Sequence, residues 1–320
     1  MFVVAGENLV DLVVQADGNY YPAPGGAPFN VACALALQGM PTGYLNPISS
    51  DVFGGQLLRT LDRAGARHLG PFVAAPTSLA VVATNERGEA RYSFYRSEVA
   101  DRSITGIELA ARTPAGTLAF HTGGLALVPP DTMEILTVLH EMQARRVIRC
   151  IDVNARPAVV ASMGVTPADY RDAVMSALAL ADIVKVSDED FLHLGIDSPP
   201  EAASHTLLSL GPKLVVLTLG SAGAVAISPS VRIACAACPV AVVDSVGAGD
   251  CFFAGFLAWL AKHGALALAA TGGASAPILD GALRHATACA AIDLGRRGCQ
   301  PATWTEASAF ECATGGSRPA

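Results

Sequence analysis

The sequence Asp244-Ser-Val-Gly-Ala-Gly-Asp250 joins two apolar segments, 240–243 before it and 251–260 after it. The first segment predicts a strand and the second a helix, so the glycines mark the turn of a strand–helix unit. Gly247 and Gly249 free the backbone, and successive N–H groups at a helix N-terminus form a concavity that favours anions. This stretch therefore predicts an α/β fold with an anion site at the turn.

Asp250 lies at the start of the predicted helix, beside that anion site. One interpretation is a helix N-cap, in which the aspartate side chain accepts a hydrogen bond from the backbone. The other is a catalytic base, because a carboxylate beside a phosphoryl group is placed to take a proton from an attacking hydroxyl. The spacing alone leaves both interpretations open.

From about residue 117 onward, short apolar segments alternate with segments of helical periodicity. The predicted strands are 118–121, 147–151, 183–186 and 214–217. Near-continuous apolar strands that alternate with helices indicate a parallel sheet covered on both faces. The uncharged segment 214–231 contains Gly220, Gly223 and Pro229, so we interpret it as two buried strands and not as a membrane span.

Two segments, about 12–23 and 79–98, do not fit this alternation. Each contains strand-like runs around a polar turn, at 16–19 and 85–88 respectively, which predicts two hairpins. Paired with each other, they would form a small sheet over one end of the main domain. We therefore predict a single domain, 1–320, with a lid that excludes water from an active site.

Several polar residues are candidates for binding a small polar ligand. Gly25 and Gly26 precede a predicted helix, 27–38, and glycine permits a close approach to the backbone. Asn30 lies one turn into that helix, and its amide both donates to and accepts from hydroxyl groups. Asp11 follows the first strand, near the edge where open α/β sheets bind their ligands. In isolation, each position also fits an ordinary structural role.

Two further groups of polar residues each share one face. Tyr92, Phe94 and Arg96 alternate along a predicted strand, so their side chains point the same way. The segment Asp152-Val-Asn-Ala-Arg156 follows another strand end with the same alternation. Aromatic and cationic groups on one face predict a surface that closes over a polar ligand, with outer-face packing of the small sheet as the alternative.

Composition narrows the possible functions. The 320 residues are 52% hydrophobic and 15% charged, which favours a large core, and the formal net charge of -7 disfavours nucleic acid as the main partner. Of the eight cysteines, Cys235 and Cys238 have C-x-x-C spacing without a second ligand pair, so we interpret them as structural. With no visible secretory leader, we expect a cytoplasmic protein that acts on neither nucleic acid nor membrane.

The fingerprints of two common nucleotide-binding classes are missing from the sequence. There is no G-x-x-x-x-G-K-[ST] segment, and no G-x-G-x-x-G opens a first βαβ unit. A P-loop kinase and an ordinary dinucleotide dehydrogenase are therefore poor fits.

The order of the motifs resembles the ribokinase-like (PfkB) carbohydrate kinase family over roughly residues 2–305. Asp244-Ser-Val-Gly-Ala-Gly-Asp250 is similar to the family's D-T-x-G-A-G-D signature, with serine in place of threonine. The segment 25–32, Gly-Gly-Ala-Pro-Phe-Asn-Val-Ala, is close to the G-G-A-P-x-N-V-A form of fructokinases. The segment 218–223, Thr-Leu-Gly-Ser-Ala-Gly, resembles the family's nucleotide-side turn.

The resemblance implies a fold and a set of roles. The fold would be a ribokinase-like three-layer α/β/α domain with a mostly parallel sheet and a small β-sheet lid. Asp250 would be the base, and the amides of Gly247, Ala248 and Gly249 would form the anion hole. The sugar would be held by Asp11, Gly25, Gly26, Asn30, Tyr92, Arg96 and Arg156. ATP would be bordered by Lys185, Ser187, Thr218, Gly220 and Gly223.

The resemblance also implies metal ions. The family usually needs Mg²⁺ bound with ATP, and often a monovalent cation such as K⁺, for which Asp244 and the Val246 carbonyl match the family positions. The family's N-x-x-E segment appears here as Ser187-Asp-Glu-Asp190. Because aspartate is shorter than glutamate, the resemblance implies at most an indirect, water-mediated contact of Asp190 with Mg²⁺.

The leading functional hypothesis is fructokinase, which converts D-fructose and ATP into fructose 6-phosphate and ADP. The alternative is 2-keto-3-deoxygluconate kinase, because Tyr92, Arg96 and Arg156 could equally grip a carboxylate. Another ribokinase-family sugar or nucleoside kinase also remains, as does a non-catalytic sugar or nucleotide sensor, which would have no need of Asp250. The lid resemblance further predicts a homodimer formed through the small sheet.

Overall fold

The computed structural model describes residues 1–14, 18–84 and 90–314. The strands in chain order are β1 (Phe2–Val4), β2 (Leu9–Val14), β3 (Tyr20–Gly25), β4 (Thr42–Tyr44), β5 (Ile48–Ser49), β6 (Arg67–His68), β7 (Phe72–Val73), β8 (Ser78–Thr84), β9 (Ala90–Tyr95), β10 (Ala119–Gly123), β11 (Ile148–Asp152), β12 (Ile183–Ser187), β13 (Leu214–Thr218), β14 (Ala224–Ile227) and β15 (Arg232–Cys235). The α-helices are α1 (Ala27–Leu37), α2 (Val52–Ala64), α3 (Gly106–Arg112), α4 (Asp131–Ala144), α5 (Pro157–Ser162), α6 (Pro167–Leu178), α7 (Asp188–His193), α8 (Pro200–Leu210), α9 (Ala248–Lys262), α10 (Leu266–Ala270), α11 (Ala276–Leu294) and α12 (Trp304–Thr314).

The central sheet has nine strands in the order β15-β14-β13-β12-β11-β10-β1-β4-β6. Strand β1 pairs in parallel with β10 and β4, and the run from β10 to β13 is parallel throughout. Only β14 and β15, at one edge, pair antiparallel. The carboxyl ends of the parallel strands therefore meet along one rim of the sheet, where a ligand site is expected.

Helices cover both faces of this sheet. Successive strand residues point to opposite faces, so Phe2 and Val4 pack with α1, α2, α9, α10 and α11. Val3 and Phe120 point the other way and pack with α3, α4, α6 and α8. The predicted three-layer α/β/α arrangement with a mostly parallel sheet is thereby confirmed.

Helix α9 is buried along most of its length. Phe252, Phe253 and Phe256 lie in the core that it forms with α1 and α11. Burying each phenylalanine stabilises the fold by about 1.5–3 kcal/mol. The N-terminus of α9 is therefore held rigidly against the rim of the sheet.

A second sheet, here called the small sheet, has four strands in the order β3-β2-β8-β9. Strands β2 and β8 pair in parallel at its centre, and each pairs antiparallel with its sequence neighbour. Both predicted hairpins thus form one small separate sheet, as expected. Residues 16 and 17 of the predicted turn at 16–19, and all of the turn at 85–88, lie outside the described residues. That the small sheet acts as a lid stays a prediction.

The strand predicted at 240–243 is wrong. This segment has irregular backbone, and the side chains of Val242 and Val243 are 64% and 63% exposed. Its strand partner would have to lie beyond β15, but the chain instead leaves the sheet edge and runs toward α11, where the Val243 N–H donates to the Leu294 carbonyl at 2.8 Å. Apolar residues alone did not distinguish a buried strand from this crossing segment.

The uncharged segment 214–231 resolves into β13 and β14, two buried strands with a turn between them. This confirms the interpretation made from its glycines. Within the described ranges, no helix is both long and apolar enough to cross a lipid bilayer.

Candidate active site

The glycine-rich turn forms the N-terminus of α9, which begins at Ala248 and not at residue 251. Gly247 is the N-cap residue and has φ 89°, a left-handed conformation that favours glycine. A Cβ at this position would lie 2.4 Å from the Cys299 sulfur, so the turn also needs glycine for space. The amides of Ala248 and Gly249 lie in the first helical turn, where backbone N–H groups lack intrahelical partners.

Asp250 is the third residue of α9 and is 6% exposed. Its Oδ2 accepts a hydrogen bond from Asn30 Nδ2 at 2.8 Å, and Asn154 Nδ2 lies 3.5 Å from its Oδ1. The N-cap interpretation is therefore wrong, because Gly247 occupies that position and the carboxylate is held by side chains of two other elements. The Asp250 carboxylate therefore does not cap α9, and Asn30 and Asn154 fix its orientation.

Burial and charge act together on Asp250. Removal from water, followed by the negative charge of Asp152, raises the pKa of Asp250 to about 8. The Asn30 hydrogen bond, Lys185 and Arg156 each oppose that rise in pKa. A carboxyl group with a pKa near the working pH is suited to accept a proton from a hydroxyl and later release it.

Lys185 and Asp152 form a buried ion pair beneath the turn. Lys185 Nζ lies 2.9 and 3.0 Å from the two oxygens of Asp152, and neither side chain is more than 6% exposed. A Cβ on Gly249 would lie 3.2 Å from the same ammonium group. The lysine predicted for nucleotide binding thus lies against the segment predicted to form the anion hole, and both roles stay predictions.

Asp11 and the glycine pair line the same region. A Cβ on Gly25 would lie 2.9 Å from Asp11 Oδ2, and Gly26 has φ 109° directly before α1. Burial raises the pKa of Asp11 to about 6, and the nearby charge of Arg156 opposes that rise. Arg156 is exposed, and its charge also opposes the rise in the pKa of Asp250, so it lies near enough to both carboxylates to act on them. The structure thus brings together five of the seven residues predicted to hold the sugar.

Arg96 is placed elsewhere. It is 6% exposed, and its Nη2 lies 2.7 Å from Asp101 Oδ2 and 3.8 Å from Asp131 Oδ2. It lines a cavity of about 40 Å³ together with Glu7. Arg96 thus belongs to an internal ion-pair network through its Nη2, and its role at the sugar stays a prediction. The side chain of Tyr92 lies outside the described part of the chain.

Both carboxylate oxygens of Asp190 accept hydrogen bonds from backbone N–H groups. Its Oδ1 accepts from the Ala155 N–H and its Oδ2 from the Ser187 N–H, both at 2.7 Å, while Ser187 Oγ accepts from the Asp190 N–H. Ser187 and Asp190 thus form a capping box at the start of α7. Each carboxylate oxygen keeps one lone pair, which fits a water-mediated contact with Mg²⁺ better than direct coordination. The magnesium role stays a prediction.

The nucleotide-side turn follows β13. Thr218 ends that strand, and Gly220 has φ 52° with open space around its Cβ position. Gly223 has φ 102°, and a Cβ there would lie 2.1 Å from the Cys235 carbonyl oxygen. The exposed glycine at 220 leaves room for a flat group against the backbone. Binding of ATP by this turn stays a prediction.

The residues predicted for a monovalent cation close the loop before α9. Asp244 Oδ1 accepts from the Val246 N–H at 3.1 Å, and its Oδ2 accepts from the Gly298 N–H at 2.8 Å. Asp244 thus joins the signature segment to the loop after α11. Carboxylate and carbonyl oxygens in one loop fit a hard cation, and K⁺ binding there stays a prediction.

Three residues of this region carried no predicted role. Glu7 is buried and accepts from the Ala27 N–H at 3.1 Å, which fixes the start of α1. Asn154 reaches Asp250, and Asp101 holds Arg96. The polar alternation in 152–156 signalled Asn154, but only the three-dimensional structure connects Glu7 and Asp101 to their partners.

Comparison with known proteins identifies the family. The model of the pfkB family carbohydrate kinases matches residues 6–306. The chain belongs to this family. It is therefore a phosphotransferase that acts on a sugar hydroxyl, and a buried carboxylate beside a glycine-rich helix N-terminus fits such chemistry.

Curated relatives of this carbohydrate kinase are fructokinases. A fructokinase of Rhizobium leguminosarum bv. trifolii is 31% identical over 264 residues, which cover 81% of this chain and 79% of the relative. A fructokinase of Klebsiella pneumoniae is 31% identical over 294 residues, covering 88% of this chain and 94% of the relative.

Solved structures give the same picture for the kinase fold. A fructokinase from Xylella fastidiosa, solved with bound ATP, superposes with a TM-score of 0.88 at 25% identity and covers 98% of both chains. A fructokinase from Vibrio cholerae O395, in a form with fructose, ADP and calcium ion bound, has a TM-score of 0.81 at 25% identity and covers 97% of this chain and 98% of that chain. The ribokinase-like fold expected from the motifs is thereby confirmed.

Proposed function

We propose that this kinase is an ATP-dependent fructokinase that converts D-fructose into fructose 6-phosphate. The observation that carries the proposal is the buried Asp250 carboxylate, held by Asn30 at the glycine-rich start of α9. The fructokinase relatives support fructose as the substrate. The site supports phosphoryl transfer, with Asp250 as the base and the start of α9 as the anion hole.

Different residues of the site bind the sugar, accept the proton and stabilise the transferring phosphoryl group. Asn30, Asp11 and Arg156 bind sugar hydroxyl groups, because they converge on one region and offer both donors and acceptors. Asp250 takes the proton from the hydroxyl that attacks the phosphate. The amides of 247–249 and the N-terminus of α9 stabilise the negative charge that builds on the transferring group.

We infer that ATP binds beside Thr218 and Gly220, with Gly223 shaping the turn and Ser187 at the nearby strand end. Mg²⁺, when bound with ATP, neutralises phosphate charge, and it keeps most of its contacts to phosphates and water. Asp190 would reach the ion through water, since both of its oxygens already accept backbone N–H groups. Asp244 and the Val246 carbonyl would hold K⁺ or a similar ion.

The ion pair between Asp101 and Arg96 supports a neutral sugar as the substrate over an acid sugar. A 2-keto-3-deoxygluconate kinase would need an accessible guanidinium for the substrate carboxylate, but Arg96 is 6% exposed and its Nη2 already pairs with Asp101 at 2.7 Å. Arg156 remains, and it faces Asp11 and Asp250, which compete with a substrate carboxylate for its charge. The ion pair therefore supports fructose over the acid sugar.

The proposal is tested by assaying the purified protein with ATP and a panel of sugars at equal concentration. We expect kcat/KM for D-fructose to exceed that for ribose, 2-keto-3-deoxygluconate and a nucleoside by at least about tenfold, which is about 1.4 kcal/mol of transition-state discrimination. Equal values for fructose and any other sugar would refute the fructose assignment and leave the family intact.

We further propose a cytoplasmic enzyme that forms a homodimer through the small sheet. Seven cysteines are free among the described residues, which fits a reducing compartment. Tyr20, Tyr21 and Tyr95 are 57%, 58% and 61% exposed on the small sheet, an arrangement that suits a protein contact. A sedimentation velocity run that gives a single monomer species at micromolar concentration would exclude this dimer.

A further inference from the structure

A cluster of two thiols and a carboxylate lies directly behind the glycine-rich turn. Cys251 is in the first turn of α9, Asp293 is near the end of α11, and Cys299 is in the loop that follows. The sulfur atoms of Cys251 and Cys299 are 4.0 Å apart. One ligand atom from each of the three residues lies within 4.8 Å of the other two.

Asp293 is incompletely satisfied in this cluster. The residue is 0% exposed, and its Oδ1 accepts from the Gln300 N–H at 2.7 Å. Its Oδ2 accepts no hydrogen bond of ordinary geometry from the described residues, although the Cys251 thiol lies beside it. A buried carboxylate oxygen without a full partner is costly in a fold, and a bound cation would satisfy it.

The sulfur–sulfur distance fits a metal better than a disulfide. Two cysteines that share a tetrahedral Zn²⁺ at about 2.3 Å per bond have their sulfurs about 3.8 Å apart. A disulfide requires about 2.05 Å, so the two sulfurs would have to approach by about 2 Å. The two sulfurs, 4.0 Å apart, therefore need almost no change in their separation to share one metal ion.

The cluster has a route to solvent. Cys299 is partly exposed and lines a cavity of about 250 Å³ that Asn30, Cys33 and Arg63 also line. An ion and its water can approach through that cavity, which supplies the entry path that a metal site needs.

We propose that Cys251, Asp293 and Cys299 bind one thiophilic divalent cation of the Zn²⁺ class, with a water molecule as the fourth ligand. The site differs from the oxygen-rich position of Asp244 and the Val246 carbonyl, because thiolates select soft ions over K⁺ or Mg²⁺. Binding releases the two thiol protons. The ion joins α9, α11 and the loop whose Cys299 packs against Gly247.

The test uses the full-length, reduced, metal-free protein and Cd²⁺ as a probe, without sugar or nucleotide. Cadmium bound to thiolates has an ultraviolet charge-transfer absorption that oxygen ligands do not produce. We expect this absorption to saturate at one Cd²⁺ per chain and Zn²⁺ to displace the ion. We expect Cys299→Ser to abolish the absorption, and Asp293→Asn to weaken affinity at least about tenfold.

The matched control is the other thiol pair. The double variant Cys235→Ser, Cys238→Ser removes a C-x-x-C pair near Thr287 and should keep the full absorption. Absorption that persists in Cys299→Ser, or that disappears in the Cys235/Cys238 double variant, would overturn the proposal. Metal-free melting temperatures establish that each variant folds, and a Zn²⁺-dependent rise in melting temperature should occur in the wild type and the control but not in Cys299→Ser. None of these measurements depends on which sugar is phosphorylated.

Discussion

Asp250 is held by hydrogen bonds from Asn30 at 2.8 Å and Asn154 at 3.5 Å and by its place in the first turn of α9. Replacing Asp250→Asn keeps the side-chain volume but removes the group that accepts the proton. We expect kcat to fall by about 10²–10⁴, with sugar binding retained. Steady-state kinetics and sugar titration by calorimetry measure the two effects.

The exposed Asp197 provides the control for this substitution, since Asp197→Asn changes the same chemical group far from any predicted role. Unchanged turnover in Asp250→Asn would exclude the carboxylate as the base. Loss of sugar binding together with turnover would instead indicate that the residue mainly positions the substrate.

The pKa of Asp250 makes a pH-dependent prediction. The base works only when it is deprotonated, so a pKa of about 8 means that kcat/KM rises with pH and levels off above that value. Asp152 raises that pKa by charge repulsion and also partly neutralises Lys185. Asp152→Asn therefore should shift the rising limb to lower pH. A limb that stays in place or moves upward contradicts the assignment, whatever happens to the plateau.

At the scale of single residues, the sequence predicted candidate residues that lie inside motifs. It did not predict contacts between residues that only the fold brings together. Asp250, Asn30 and the glycines were found because their spacing encodes a turn and a helix start. The ion pair of Arg96 with Asp101 was not predicted, because Asp101 lies in a short helical turn five residues away and nothing in the local pattern indicates that the pair is buried. The hydrogen bond between Asn30 and Asp250 was not predicted, since the family resemblance gave only separate roles for the two residues.

At the scale of elements, the capping box at the start of α7 joins two strand ends. Asp190 accepts the Ser187 N–H and the Ala155 N–H, which ties β12 to the segment after β11. Asp190→Ala leaves two backbone donors unpaired, and we expect it to lower the free energy of unfolding by about 3 kcal/mol. Ser187→Ala removes only the cap hydroxyl and should cost about 1 kcal/mol.

Urea denaturation measures the free energy of unfolding of Asp190→Ala and Ser187→Ala. If Asp190 acts only through Mg²⁺, then Asp190→Ala lowers activity without lowering stability, and the structural assignment fails. Equal destabilisation by the two variants would show that the contact to Ala155 contributes little.

The elements themselves were predictable where apolar periodicity is strong. The strands from β10 to β13 and helix α1 follow the predicted segments, and Gly65 ends α2 in a left-handed conformation as a C-cap glycine should. The segment 240–243 was misassigned because an exposed crossing segment rich in valine has the same local pattern as a strand. Element type there depends on whether a neighbouring strand exists, which is a tertiary property.

At the scale of the whole molecule, Asp101 joins the small sheet to the main domain. It accepts from Ser78 at the start of β8 and from Arg96 just after β9, while its own carbonyl accepts from Asn46. Asp101→Ala leaves the Arg96 charge buried without its main partner, and we expect a loss of about 3 kcal/mol of stability. Hydrogen exchange should increase first in β8 and β9.

Asp131→Ala is the control for this network. Asp131 mainly pairs with the half-buried Arg102 and lies 3.8 Å from Arg96, so its removal should cost clearly less. Equal costs, or exchange that increases uniformly over the molecule, would mean that Asp101 is not a specific anchor of the small sheet.

Strand β3 leads into the active site without a loop. It ends at Gly25, Gly26 follows as the cap of α1, and Asn30 lies one turn later with its amide on Asp250. Strand β3, Gly26 and the first turn of α1 thus connect the outer edge of the small sheet directly to Asp250, and the chain changes direction at Gly26. We therefore expect a tilt of the small sheet to move Asn30 and, through their shared hydrogen bond, to change the orientation of Asp250.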